Sequence, residues 1–102
     1  MVETVRYQWE DVAIPWWKKF VAHCKENGVE QIAIEEFPCQ LVYNPETLWK
    51  LRNAVDPMIG MNLDPSHLMV MGADPIAAAR ALKGALYHIH AKMPALREVC
   101  AM

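Results

Sequence analysis

The sequence lacks a long apolar segment and a basic leader. No apolar run approaches the roughly 18 to 20 residues that a membrane-spanning helix needs, although 54% of the residues are hydrophobic. The start, MVETVRYQWED, has neither a basic n-region nor an apolar h-region. We therefore expect a cytoplasmic protein with no membrane partner.

An excess of positive charge is also missing. Ten Lys and Arg residues stand against twelve Asp and Glu residues, which gives a formal net charge of −2. This balance offers no electrostatic basis for binding nucleic acid. A small molecule or another protein is the expected partner.

Paired cysteines are absent as well. Cys24, Cys39 and Cys100 are odd in number and none of them belongs to a CxxC motif. We interpret them as free thiols in a reducing compartment. A catalytic thiol would need a base held beside it, and the sequence shows no such arrangement.

Three helices are predicted, each opening with a proline near its first position, where the missing N–H costs little. Their approximate ranges are 15–27, 45–55 and 75–83. Asn44 and Asp74 precede the second and third helices and are expected to cap them. Gly28 follows the first helix and suits a left-handed helix stop.

Three short segments between and after these helices are predicted as strands. They cover residues 31–35, 58–64 and 86–91. Strands that alternate with helices at intervals of roughly 30 residues indicate right-handed βαβ units and a parallel sheet. No long linker interrupts the pattern, so residues 1–102 are expected to form a single domain.

Read with a period of two, each predicted strand has an apolar face and a small or polar face. The apolar face carries Ile32, Ile34, Ile59, Met61, Leu63, Tyr87 and Ile89. The other face carries Gln31, Ala33, Glu35, Gly60, Asn62, Asp64, Leu86, His88 and His90. An open sheet covered by helices on both sides should be apolar on both faces. The pattern therefore favours a barrel-type sheet, with the apolar face toward the helices and the polar face inside.

Length limits how much of a barrel is present. A complete eight-stranded βα barrel needs on the order of 250 residues, and this chain has 102. The predicted fold class is α/β, a partial (β/α) barrel with about three parallel strands and three helices.

Glu35, Asp64 and His90 each stand at the C-terminal end of a predicted strand, on its polar face. Catalytic groups of βα barrels lie at that end, so neighbouring strands would present these side chains to one cavity. Two carboxylates and one imidazole suit a divalent cation such as Mn²⁺, Mg²⁺, Co²⁺ or Zn²⁺. The pattern predicts a divalent-metal site.

Each of these residues also has a simpler interpretation. Asp64 precedes a proline and could cap a short helical turn. Of Glu35 and its neighbour Glu36, one could be a ligand and the other a solvated rim charge. His67 could only hydrogen-bond within its loop, and His88 could line the barrel. The shared strand-end position and face favour the metal site, because the separate interpretations do not predict that agreement.

Several motifs in order carry a family resemblance. They are IAIEEFP (32–38), VYNPETLWKLR, IGMNLDPSH (59–67), GADPIAAARAL and YHIHAK (87–92). Together they resemble the xylose isomerase-like TIM barrel superfamily of sugar phosphate isomerases and epimerases. The resemblance covers about residues 9–92, and the tail 93–102 departs from it.

The resemblance implies a role for each strand-end residue. Glu35, Asp64 and His90 would bind the metal, and Glu35 would also act as a catalytic base. His67 and Lys92 would contact the substrate, a sugar or sugar phosphate. Relatives take a fourth ligand, a glutamate, from a last strand that would lie beyond residue 102.

Two positions depart from the motifs of many relatives. Phe37 replaces the histidine of an E-x-H-P motif, and Met93 replaces the aspartate of an H-x-K-D motif. The three implied metal ligands are retained, while the nearby substrate contacts differ.

The leading functional hypothesis is a sugar isomerase or epimerase-like domain fragment that moves a proton beside a sugar carbonyl. The alternative is a non-catalytic partial barrel that serves as an assembly or binding module. A relation to metal-dependent AP endonucleases would predict more histidine ligands and a basic surface, which the acidic balance opposes. The expected protein partner is a second copy of the chain or a complementing barrel fragment.

Overall fold

The computed structural model describes residues 2–91, which form a three-stranded sheet and its connecting helices. The helices are α1 (Val2–Tyr7), α2 (Ile14–Glu26), α3 (Pro45–Ala54), α4 (Pro65–Val70) and α5 (Pro75–Ala81). The strands are β1 (Ile32–Glu35), β2 (Ile59–Leu63) and β3 (Leu86–Ile89). A π-helical segment, Gln8–Ala13, joins α1 to α2. No helix within residues 2–91 is both long and apolar enough to cross a membrane.

All three strands are parallel, in the order β1-β2-β3. The β1–β2 ladder runs from the pair Ile32 and Ile59 to the pair Glu35 and Asn62. The C-terminal ends of the strands therefore meet at one edge of the sheet. This confirms the predicted α/β fold with three parallel strands as neighbours in chain order.

The helices differ from the prediction in extent and number. Helical structure begins at Val2 rather than near Pro15, and α4 is an additional helix. A proline inside a helix removes an amide donor, and the π-helical segment ends just before Pro15, so the helical ladder changes there. Asp64 caps α4 and Pro65 opens it, by the same chemistry that was predicted for the other helices.

The hydrophobic core lies between the sheet and the helices. Its most buried members include Leu48 and Leu51 of α3, Ile59 and Met61 of β2, and Leu82 after α5. The central strand β2 contributes most because it has a neighbour on each side. The helix-facing side predicted for β2 is therefore confirmed.

A β-bulge in β3 changes the faces of two residues. Leu86 pairs with Met61 and His88 pairs with Asn62, so Tyr87 is an extra residue in the ladder. Leu86 therefore packs against the core, and the Tyr87 ring lies over Gly60 on the opposite face. The faces predicted for Leu86 and Tyr87 are wrong, because one inserted residue reverses the period-two pattern.

Candidate metal centre

Three acidic and imidazole side chains converge at the C-terminal edge of the sheet. Glu35 ends β1, Asp64 follows β2 and His90 follows β3. The backbone amide of His90 donates to the carbonyl of Leu63 at 2.8 Å, so strand pairing continues up to the site. One candidate ligand atom from each of the three residues lies within 4.8 Å of the other two.

The spacing of these atoms fits a shared cation. His90 Nδ1 lies 3.5 Å from Glu35 Oε1 and 3.4 Å from Asp64 Oδ2. Two ligand atoms about 2.1 Å from one ion, at ordinary coordination angles, lie about 3.0 to 3.4 Å apart. Little movement would bring the three atoms to bonding distance of one ion.

Asp64 uses its two carboxylate oxygens differently. Oδ1 accepts hydrogen bonds from the backbone amide of Ser66 at 2.9 Å and from its hydroxyl at 2.6 Å. Oδ2 is buried and has no hydrogen-bond partner among residues 2–91. Capping of α4 and binding of a cation therefore do not exclude each other, since each would use its own oxygen.

The environment of Asp64 also favours its charged form. Burial alone would raise the pKa of this carboxyl group, but the hydrogen bonds from Ser66 and the nearby imidazole of His67 lower it. The net result is a pKa below the usual value for aspartate. Asp64 is thus a carboxylate, the form that a cation requires.

His67 extends the cluster from the first turn of α4. Its Nε2 lies 3.2 Å from Glu35 Oε1 and 3.3 Å from Asp64 Oδ2. The ring of Phe37 meets the imidazole edge to face, with centroids 4.8 Å apart and an interplanar angle of 73°. His67 therefore faces the site, and the interpretation that it only hydrogen-bonds within its loop is wrong.

His88 stands apart from the cluster. Its Nδ1 lies 2.9 Å from Asn62 Oδ1, its neighbour on β2. Both side chains lie on the predicted inner face, one step before the strand ends. The structure thus distinguishes His88 from His90.

Glu36 is the residue whose environment differs most from the sequence-based interpretation. The sequence left open whether Glu35 or Glu36 is a solvated rim charge, but Glu36 is fully buried. Its Oε1 and Oε2 accept the backbone amide of Asp64 at 3.0 and 3.2 Å. Burial, the largest influence, raises the pKa of Glu36 to about 7.

The sequence did contain a signal for this burial. The period of two that turns Ile32 and Ile34 toward the helices also turns Glu36 that way. An acidic residue at such a position must find a polar partner inside. The identity of that partner is not readable from the sequence.

Two of the thiols can be placed. Cys24 is buried and Cys39 is exposed, and both are free. Lys92, which the resemblance assigned to substrate contact, lies outside the described residues, as do Met93 and Cys100.

Comparison with known proteins identifies the family. The profile of the xylose isomerase-like TIM barrel matches residues 4–97, nearly the whole chain. The chain belongs to the xylose isomerase-like TIM barrel family. Its parallel strands, linked by helices and ending at one polar edge, correspond to a section of such a barrel.

The chain is also similar to the uncharacterized protein YfiH of Bacillus subtilis (strain 168). The two sequences are 63% identical over 90 residues. The matched region covers 88% of this chain and 29% of YfiH. The chain therefore spans less than a third of the length of this relative.

Proposed function

We propose that this chain carries part of a metal-dependent isomerase or epimerase site for a sugar or sugar phosphate. Glu35, Asp64 and His90 would hold one divalent ion, Mn²⁺, Mg²⁺, Co²⁺ or Zn²⁺. The observation that supports this most is Asp64 Oδ2, a buried carboxylate oxygen without a hydrogen bond among the described residues. Imidazole nitrogens of His67 and His90 lie 3.3 and 3.4 Å from this oxygen without the geometry of a hydrogen bond. A buried carboxylate oxygen without a hydrogen bond is costly, and a cation between it and the neighbouring ligands would satisfy it.

The chemistry follows from the family and from the exposure of each group. A divalent ion bound there would polarise the carbonyl and the adjacent hydroxyl of a sugar, which lowers the barrier to removing the proton beside the carbonyl. The Glu35 side chain is 37% exposed, so it can reach a substrate and accept that proton as a general base.

Substrate contacts are proposed for two further residues. The His67 side chain is 19% exposed and lies beside both carboxylates, so its imidazole can hydrogen-bond a sugar hydroxyl near the ion. Lys92 is proposed as a second contact from the family resemblance alone. We propose that complete activity needs the other strands of the barrel, from a complementing barrel segment or a further copy of the chain.

Thermal melting with Mn²⁺ or Co²⁺ tests the metal site. An ion that binds only the folded chain at 100 times its Kd stabilises it by about 2.7 kcal/mol, a shift of several degrees in Tm. Asp64→Asn should abolish this shift, because the amide oxygen can still cap α4 while the negative charge is lost.

Asp74→Asn is the matched control. Asp74 caps α5 by accepting the amide of Ile76 at 2.9 Å, the same local geometry as Asp64 with Ser66, but away from the cluster. This variant should keep the full metal response. A similar loss in both variants would show that helix capping, not metal binding, is being measured.

The second candidate function is a non-catalytic assembly or binding module. Exposed apolar side chains favour it, among them Ile76 of α5 and Ile89 of β3, which are 65% and 52% exposed. Calorimetry decides between the two functions. If the wild-type chain takes up no Mn²⁺ or Co²⁺ at millimolar concentration, the metal-dependent function is abandoned in favour of the module.

A further inference from the structure

Glu36 joins the ends of two strands where backbone pairing has stopped. The β1–β2 ladder ends at the pair Glu35 and Asn62. Asp64 lies two residues beyond that pair, and the Glu36 side chain supplies the acceptors for its amide, at 3.0 and 3.2 Å. A carboxylate thus extends the β1–β2 connection by one more link.

This link leaves Asp64 little freedom. Its amide is held by Glu36, and its Oδ1 is held by the amide and hydroxyl of Ser66. With backbone and one oxygen fixed, the direction of Oδ2 is fixed too. Oδ2 is the atom that lies 3.4 Å from His90 Nδ1.

Glu36 cannot itself touch a substrate or an ion in the cluster. It is fully buried, and both of its oxygens face the amide of Asp64. A leucine of similar size would fill the same space without the cost of burying an ionisable group. A carboxylate at this position is therefore explained better by its hydrogen bonds with the Asp64 amide than by packing.

We infer that Glu36 is a positioning residue of the metal centre, which fixes the backbone of Asp64 so that Oδ2 faces Glu35 and His90. This inference rests on the proposed function for its consequence, metal affinity. Its structural part, the anchoring of the Asp64 amide, can be tested without any metal.

The first experiment measures Mn²⁺ affinity by calorimetry in Glu36→Leu and Glu36→Gln. Glu36→Leu removes the acceptor at similar volume, so Kd should rise roughly tenfold or more, as is usual when a group that supports a ligand is lost. Glu36→Gln keeps an amide oxygen that can accept the same hydrogen bond, so its Kd should stay near the wild-type value.

Leu48→Ala provides the control for general destabilisation. Leu48 is fully buried in α3 and belongs to the core, not to the cluster. Its loss should lower Tm while leaving Kd within about threefold, because the folded molecules keep their site. If Glu36→Leu lowers Tm but leaves Kd as unchanged as Leu48→Ala does, Glu36 is merely structural and the inference is overturned.

The second experiment follows hydrogen exchange of the Asp64 amide by NMR in metal-free buffer. Protection should be high in the wild type and in Glu36→Gln, and lost in Glu36→Leu. Should Glu36→Leu fail to fold, Glu36→Asp replaces it, because its shorter side chain pulls the carboxylate back from the amide.

The two experiments distinguish the proposed metal-dependent function from the anchoring of the Asp64 amide by Glu36. If the wild type binds no metal, the proposed function fails, and amide exchange alone judges the anchoring. Unchanged protection of the Asp64 amide in Glu36→Leu or Glu36→Asp would refute the inference even if the metal site is real.

Discussion

The ring of Tyr87 lies over Gly60 so closely that a Cβ added at Gly60 would overlap it. The Tyr87 hydroxyl donates to the carbonyl of Pro57 at 2.7 Å, and Arg52 Nη2 donates to that hydroxyl at 3.3 Å. The hydroxyl end of the ring is therefore held by two hydrogen bonds, so the ring cannot easily yield. Gly60 is required by its neighbour on β3, not by its own backbone angles.

Gly60→Ala should accordingly lower the free energy of unfolding by about 1 to 3 kcal/mol, the usual cost of overpacking. Urea denaturation measures this change. Adding Tyr87→Leu to Gly60→Ala should recover part of the loss, because the ring is the obstacle. Strictly additive losses from the two substitutions would contradict this account of the contact.

His90 and His88 should respond differently to metal. His90 Nδ1 lies within 3.5 Å of both carboxylates, whereas His88 Nδ1 faces Asn62. His90→Ala should therefore remove most of the Mn²⁺-induced rise in Tm, and His88→Ala should leave most of it. Equal losses in the two variants would mean that the wrong histidine has been assigned to the ion.

The raised pKa of Glu36 predicts a pH dependence of stability in metal-free buffer. A carboxyl group whose pKa is about 7 when folded and about 4.3 when unfolded binds its proton more tightly in the folded state. The stability that this proton contributes is fully present below the pKa of the unfolded chain. It is lost as pH rises through the pKa of the folded chain. The free energy of unfolding should thus fall between about pH 4 and 8 from this group, by roughly 3 to 4 kcal/mol.

Glu36→Gln isolates this contribution. The glutamine is neutral at every pH, so the difference between the wild-type and variant stability curves should change across about pH 4 to 8 and level off on either side. Chemical denaturation at several pH values provides the curves. Parallel curves would show that Glu36 has an ordinary pKa in the folded chain.

Self-association is expected from the apolar side chains at the β3 edge. Ile76 and Ile89 are both more than half exposed, and burying apolar area is worth about 25 cal/mol per Å². Light scattering at tens of micromolar should detect dimers or larger species. Ile76→Lys should shift the chain toward monomer, whereas Val29→Lys, at an exposed residue after α2, should not. A wild-type chain that is monomeric at this concentration would contradict the prediction.

Local patterns predicted most of the fold. Asn44 and Asp74 cap α3 and α5 as expected, each accepting a backbone amide two or three residues ahead. Gly28 adopts φ of 78° after α2, the left-handed stop that its position indicated. These features were predictable because each depends on neighbours within one helical turn.

The features that were missed depend on partners far along the chain. The carboxylate of Glu36 finds its partner in Asp64, 28 residues away. The bulge at Tyr87 depends on the space above Gly60 in another strand. The candidate ligands Glu35, Asp64 and His90 were an exception, because parallel strands with a common direction bring their ends together whatever their internal irregularities.

The π-helical segment sets the rotational phase of the first helical region. Trp9 and Val21, both buried, are twelve residues apart, so a continuous α-helix of 3.6 residues per turn would place them about 120° apart around its axis. The wider turns of Gln8–Ala13 change that angle and let both side chains face the core. Converting these turns to a regular α-helix without removing a residue would restore the offset of about 120° and swing Trp9 away from Lys50, whose Nζ lies 4.5 Å from the ring centroid. Deleting one residue as well would leave an offset of about 20°, so Trp9 would stay on the core side. The wider turns thus accommodate one extra residue while the N-terminal turns keep the same face toward the core.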